Sequence, residues 1–163
     1  MSDENPVQPP TEILPGLWQA GLPLDWSWVH RTGVETVVDV ADPDQLDDPA
    51  ELEGIHYVKQ ALVDGELPDL DLLGDLVDGV VLSVQAGRTT LVHCGFGKNR
   101  SGLVVALAAR ELLGVSGAEA LAHVRSVRDR AVNNEEFAAY VESLPAQHQR
   151  ASADATQLVS SSR

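Results

Sequence analysis

Hydrophobic and polar positions in the first sixty residues alternate as they do in strands and short turns. Two apolar runs at residues 12–14 and 17–20 flank a Pro-Gly pair at 15–16, which predicts two short strands joined by a turn. The β-branched, apolar run at 34–40 predicts a buried strand, and the run at 55–62 predicts another. Between them, the acidic stretch 42–53 contains two prolines and is predicted to be a loop.

After residue 69 the apolar period changes from that of a strand to that of a helix. Apolar positions recur at helical spacing over residues 70–84, with Asp69 as a cap and Gly87 as a stop. Residues 89–93 predict a short strand, and residues 101–113 are apolar almost all round, as in a buried helix. Further helices are predicted from Pro23 to before Gly33, over residues 116–127, and from a cap at Asn133 onward.

Strands therefore alternate with helices, and helices dominate the C-terminal half. This pattern predicts an α/β fold with a central, mostly parallel sheet of about four to five strands flanked by helices. The folded domain is expected over residues 11–146, after a flexible, proline-rich segment at 1–10 and before a disordered Ser-, Ala- and Gln-rich tail at 147–163. In such sheets ligands bind beyond the carboxyl end of a strand, which here is the loop after residue 93.

The composition of the chain limits the kinds of molecule that it is expected to bind. The chain of 163 residues has a formal net charge of −14, which disfavours nucleic acid and anionic membranes as partners. Its single cysteine excludes an intramolecular disulfide. No signal-peptide pattern and no apolar stretch of membrane-span length is visible, so a cytoplasmic setting is expected. The oligomeric state is left open.

The loop between residues 93 and 101 carries the candidate chemistry. A helix that begins near Ser101 directs unpaired N–H groups and partial positive charge back at the strand end. Gly95 and Gly97 allow the backbone to curl into an anion cradle, and Arg100 adds a planar fork that matches phosphate oxygens. A thiolate is favoured at Cys94 in such surroundings, which makes it a candidate nucleophile. The proposed phosphate-binding loop consists of His93, Cys94, Gly95, Phe96, Gly97, Lys98, Asn99 and Arg100.

Two other interpretations of this loop are weaker. A nucleotide-binding loop would need a glycine five residues before Gly97 and Ser or Thr after Lys98, but Val92 and Asn99 occupy these positions. A lone cysteine is more often a buried structural thiol. The combination of Cys94 with an arginine six residues later, behind two glycines, favours a functional site instead.

The spacing His93-Cys94-x-x-Gly97-x-x-Arg100-Ser101 resembles the signature of the dual-specificity branch of the protein tyrosine phosphatase superfamily. Residues 13–18, 33–40, 124–128 and 133–137 also resemble segments of that family in their order. The resemblance implies a protein tyrosine phosphatase-like fold, a phosphocysteine intermediate, and catalysis without a metal or other cofactor. The remaining histidines show no metal-ligand spacing, so no metal site is expected.

The resemblance also implies a general acid, an aspartate on a separate loop before the cysteine. Asp64 lies 94 − 64 = 30 residues before Cys94 and is the preferred candidate, with Asp69 and Asp71 as rivals. Asp69 also suits a helix cap. Ser101 is expected to assist departure of the sulfur and to cap the helix.

Three further loop residues are expected to have smaller roles. His93 is expected to orient Cys94 through hydrogen bonds. Lys98 would add charge at the mouth of the site or remain solvated, and Phe96 would line the pocket wall.

The expected substrate is a phosphorylated protein or a small phosphomonoester. Phosphotyrosine and phosphoserine/threonine proteins are the first choice, and a phosphoinositide, an RNA 5′ end or a small metabolite is the alternative. A non-catalytic phosphate-binding module is a further alternative. Sulfur transfer of the rhodanese type is disfavoured by the Arg100-Ser101 ending of the loop.

Overall fold

A computed structural model describes residues 8–23 and 25–147. These residues form a five-stranded sheet with the order β1-β2-β5-β3-β4. β1 and β2 are antiparallel, whereas the other three pairings are parallel. The predicted mostly parallel α/β fold is therefore confirmed. The strands are β1 (Thr11–Leu14), β2 (Leu17–Ala20), β3 (Thr36–Asp39), β4 (His56–Lys59) and β5 (Thr90–His93).

Five helices accompany this sheet in the described part of the chain: α1 (Ser27–Thr32), α2 (Leu70–Gln85), α3 (Arg100–Leu113), α4 (Gly117–Val127) and α5 (Glu135–Glu142). No single one of them is long and apolar enough to cross a membrane. α3 and α4 meet that criterion only when taken together across a bend of 117°.

Two predicted helix starts were wrong. α1 begins at Ser27 rather than Pro23, because the Asp25 carboxylate accepts hydrogen bonds from the Ser27 backbone and hydroxyl and closes a turn there. α5 is capped by Asn134 rather than Asn133, since the Asn134 side-chain oxygen accepts from two backbone N–H groups of its first turn.

The sheet is buried on both faces because successive strand residues point to opposite sides. Val38 and Val92 pack in a large core with residues of α2–α5, whereas Val37 and Leu91 pack in a second core with Val29 of α1. α3 lies at the centre of the larger core, and all of its first eleven residues are buried. This burial explains why its sequence between Ser101 and Arg110 is apolar throughout.

The topology brings three chain segments to one edge of the sheet. Ala20 of β2 and Asp39 of β3 are both in register with His93 of β5, so these strands end side by side. The segments that follow them start at the same edge, which is the carboxyl edge where ligands bind in parallel sheets.

Candidate active site

Cys94 directly follows β5 at this carboxyl edge. Its side chain is only 1% exposed, but its sulfur has polar neighbours. The backbone N–H of Gly97 donates to the sulfur at 3.2 Å, and the thiol donates to the Ser101 hydroxyl oxygen at 3.2 Å. The buried sulfur therefore has a polar environment and not a purely aliphatic one.

The loop that follows Cys94 has free backbone donors. The N–H groups of Gly95, Phe96, Lys98 and Asn99 have no hydrogen-bond acceptor within the ranges that the structure describes. α3 begins immediately after them and adds the positive end of its dipole. Unpaired donors next to a helix N-terminus can bind an anion, which is the role that the sequence predicts for this loop.

Gly97 satisfies two requirements that only glycine meets. Its φ is +73°, in the left-handed region, and a Cβ there would lie 2.4 Å from the Gly21 nitrogen and 2.6 Å from Arg128 Nη2. The loop therefore packs directly on the segment after β2, and this contact aligns the Gly97 N–H with the sulfur.

Arg100 faces inward, and the residue is only 7% exposed. Its Nη1 donates to the Asp42 carboxylate at 2.7 Å and to the Leu62 carbonyl at 3.5 Å. A Cβ at Gly95 would lie 3.1 Å from Nη2, so the second amino group lies over the loop backbone. The sequence predicts that Asp42 lies in a loop and indicates no role for it. In the fold, the Asp42 carboxylate binds Nη1 of Arg100, while Nη2 lies next to the loop backbone at Gly95.

Gln19 of β2 contacts Ser101 and the loop backbone, and no role for it was predicted from the sequence. Its Nε2 donates to Ser101 Oγ at 3.1 Å and to the Gly97 carbonyl at 3.2 Å, and both side chains are fully buried. With an amide donor on the oxygen, the Ser101 proton is free to point at a thiolate at Cys94. A polar residue within an apolar strand was the available signal.

Arg128, at the C-terminus of α4, is a second arginine beside the loop. It is 2% exposed, and its Nε donates to the Gly97 carbonyl at 2.9 Å, while Nη1 donates to Pro9 and Thr11 oxygens. No carboxylate of the described residues pairs with it. Burial lowers the pKa of Arg128, and the charge of Cys94 acts in the opposite direction. Arg128 belongs to segment 124–128, which resembles the phosphatase family, but no function was predicted for it from the sequence.

His93 does not contact the nucleophile in the way that the sequence analysis expected. Its Nε2 lies 2.7 Å from the Asp47 carboxylate, and its buried Nδ1 has no partner among the described residues. The ring therefore fastens the loop after β3 to the end of β5. Asp47 is itself buried, so the pair is shielded from water.

Asp39, Asp47 and His93 form a cluster that could in principle hold a metal, because their ligand atoms lie within 4.8 Å of one another. The Lys59 ammonium, 3.1 Å from Asp39, already supplies a cation there. Tyr57 donates to the other Asp39 oxygen, and burial together with this hydrogen bond raises the pKa of its phenol. The two carboxylates are therefore already paired with Lys59, Tyr57 and His93. We interpret the cluster as a structural hydrogen-bond network beneath the Cys94 loop.

Asp64 is the candidate acid that the fold joins to the phosphate-binding loop. Its carboxylate accepts from the Asn99 side-chain amide at 2.9 Å and from the Asn134 side-chain amide at 2.9 Å. The rivals belong to α2: Asp69 caps that helix by accepting from the Leu72 N–H at 3.0 Å, and Asp71 lies in its first turn.

Phe96 and Lys98 lie on the outer side of the loop. Phe96 is 72% exposed, so its ring stands at the rim of the site and not inside a closed wall. Lys98 is partly exposed and forms no ion pair with another described residue.

Comparisons with known proteins find structural relatives. Neither a protein-family model nor a curated protein matches the sequence. A mouse putative dual specificity phosphatase, solved with zinc tungstate, is 24% identical with a TM-score of 0.75, covering 94% of this chain and 95% of its own. Human DUSP28 is 25% identical with a TM-score of 0.72, covering 84% and 93%. Tk-PTP in its active form is 24% identical with a TM-score of 0.72, covering 82% and 95%.

The resemblance drawn from the loop sequence and these structural likenesses agree. The chain has the fold of the dual-specificity phosphatase branch of the cysteine-dependent protein tyrosine phosphatase superfamily.

Proposed function

We propose that this protein hydrolyses phosphomonoesters through a phosphocysteine intermediate, with phosphotyrosine and/or phosphoserine/threonine proteins as its substrates. The observation that supports this most is the surroundings of Cys94. A buried sulfur receives a backbone N–H and lies in one loop with unpaired backbone N–H groups and the buried Arg100. This set can bind an oxyanion and place a nucleophile beside it.

In the first step, the loop N–H groups and Arg100 bind the phosphate, and the Cys94 thiolate attacks phosphorus in line. The S–P bond forms as the bond from phosphorus to the ester oxygen breaks. Asp64 donates a proton to that oxygen, so the leaving group departs as a neutral alcohol or phenol. The positive surroundings stabilise the charge that spreads over the phosphoryl oxygens.

In the second step, water attacks the phosphocysteine and Asp64 accepts its proton. The S–P bond breaks, and inorganic phosphate leaves with the regenerated thiolate still in the loop. The Ser101 hydroxyl, with Gln19 already on its oxygen, donates to the departing sulfur and makes it a better leaving group.

The charge around the loop favours a protein substrate with one phosphate over a polyanion. Asp42 contacts Arg100, and Asp64 contacts Asn99, so carboxylates flank the loop on two sides. A second phosphate on a phosphoinositide or an RNA 5′ end would meet these charges in a chain with net charge −14. A cytoplasmic location and function without a metal remain part of the proposal.

The direct test is hydrolysis of p-nitrophenyl phosphate by the full chain in excess EDTA. We expect turnover to be unaffected by the chelator, and acid-quenched enzyme to carry a phosphoryl group on the peptide containing Cys94, detected by mass spectrometry. Loss of activity that Zn²⁺ or Mn²⁺ restores would contradict the proposal. Binding of orthophosphate without any turnover would instead favour the non-catalytic module.

A further inference from the structure

The segment that carries Asp64 is fastened to the start of α5. The Asn134 side-chain amide donates to the Asp64 carboxylate and to the Gly65 carbonyl, each at 2.9 Å. At the other end of the segment, the Leu67 N–H donates to the Glu136 carboxylate at 2.7 Å. Residues 64–67 are therefore held at both ends by one helix terminus.

Asn99 connects this segment to the phosphate-binding loop. Its Nδ2 donates to Asp64 Oδ2 at 2.9 Å, and its Oδ1 accepts from the Asn134 backbone N–H at 2.9 Å. Asp64, Asn99 and Asn134 thus form a closed ring of hydrogen bonds. One corner lies in the phosphate-binding loop, one in the acid segment, and one at the helix cap.

The orientation of both amides is fixed by their oxygens. Asn134 Oδ1 accepts from the Glu136 and Phe137 N–H groups, and Asn99 Oδ1 accepts from a backbone N–H. Each NH₂ group must therefore point toward Asp64. Each carboxylate oxygen of Asp64 consequently receives one amide donor, although the side chain itself is exposed.

We propose that Asn99 and Asn134 are positioning residues that hold Asp64 against the phosphate-binding loop before substrate binds. This inference rests on the proposed function, in which Asp64 is the general acid. Because the Asp64 carboxylate is exposed, no packing fixes its orientation. Its orientation therefore depends on the side-chain amides of Asn99 and Asn134. A proton donor displaced by about 1 Å can lose on the order of 100-fold in rate, so the ring contributes directly to the first chemical step.

The variant Asn134→Ser tests this proposal. Serine keeps an N-cap acceptor for α5 but removes both amide donors to the acid segment. We expect kcat for phenyl phosphate, a poor leaving group that needs the acid, to fall about tenfold, and kcat for p-nitrophenyl phosphate to fall less than about threefold. The matched control is Asn133→Ser, the same change at the exposed preceding residue, which should alter neither value.

A double-mutant cycle with Asp64→Asn distinguishes positioning from a structural role. If Asn134 acts through Asp64, Asn134→Ser should not slow the Asp64→Asn enzyme further. Equal losses on both substrates, or a full additional loss in the Asp64→Asn background, would overturn the proposal. If Asp64→Asn itself slows both substrates equally, the acid assignment in the proposed function fails, and the positioning role fails with it.

Discussion

Replacing Cys94 with serine is expected to lower kcat by at least about 10⁴-fold while oxyanion binding survives. Serine is similar in size, but its hydroxyl does not ionise near neutral pH, so the loop contains no nucleophile to form the covalent intermediate. The N–H groups of the loop and Arg100 remain in place. The expected result is an inactive protein that still binds orthophosphate or tungstate, measured by the rise in its melting temperature with added oxyanion.

Arg100→Met gives the complementary control for this prediction. It removes the guanidinium fork and leaves the nucleophile, so oxyanion stabilisation should be lost together with activity. Substantial turnover by Cys94→Ser would show that another group attacks phosphorus. Loss of both binding and folding in Cys94→Ser would show that residue 94 has a packing role, since it belongs to the larger core.

The fold could be predicted from the sequence because its signals are local. The change of apolar period after residue 69 marks α2, and the all-apolar run after Arg100 marks the central helix. The spacing of Cys94 and Arg100 identified the loop, because both belong to one turn between one strand and one helix. Local hydrogen bonding decided the errors: Asp25 delays α1, and Asn134 displaces Asn133 as the cap of α5.

The supporting residues of the site could not be predicted in the same way because they come from distant segments. Gln19 and Ser101 are 82 positions apart, and Arg100 and Asp42 are 58 apart. Asp47 looked like one acid among many in a loop, yet its carboxylate is buried against His93. Nothing in a single sequence distinguishes Asp42 and Asp47 from solvated acids, since the sheet order that joins them to the loop depends on long-range pairing.

Gly97 combines a requirement that is visible in the sequence motif with one that depends on distant residues. Its glycine is visible in the sequence motif, but the reason for it includes Gly21 and Arg128, which the motif does not contain. From the motif alone, the need for glycine at position 97 would be explained by backbone conformation only. The fold adds a steric requirement, and the two causes can be separated by experiment.

Gly97→Ala is expected to lower kcat/KM for p-nitrophenyl phosphate by at least about 100-fold. The left-handed φ of +73° costs an alanine roughly 1–2 kcal/mol. In addition, the new methyl group would lie 2.4 Å from the Gly21 nitrogen, which belongs to backbone that cannot swing aside. The loop must shift, and the Gly97 N–H then loses its alignment with the Cys94 sulfur. A misplacement of about 1 Å in an active site accounts for a loss of this size.

Two matched glycine-to-alanine variants separate strain from steric clash. Gly33→Ala has a similar φ of +78° with open space around the new methyl group, so it should lose about 1–2 kcal/mol of stability and keep full activity. Gly79→Ala, within α2 and also unobstructed, should be neutral or stabilising. If Gly97→Ala retained activity while matching Gly33→Ala in melting temperature, the close packing against Gly21 would not matter for catalysis. If the contact between Gly97 and Gly21 matters for catalysis, only Gly97→Ala among the three variants should lose most of its activity.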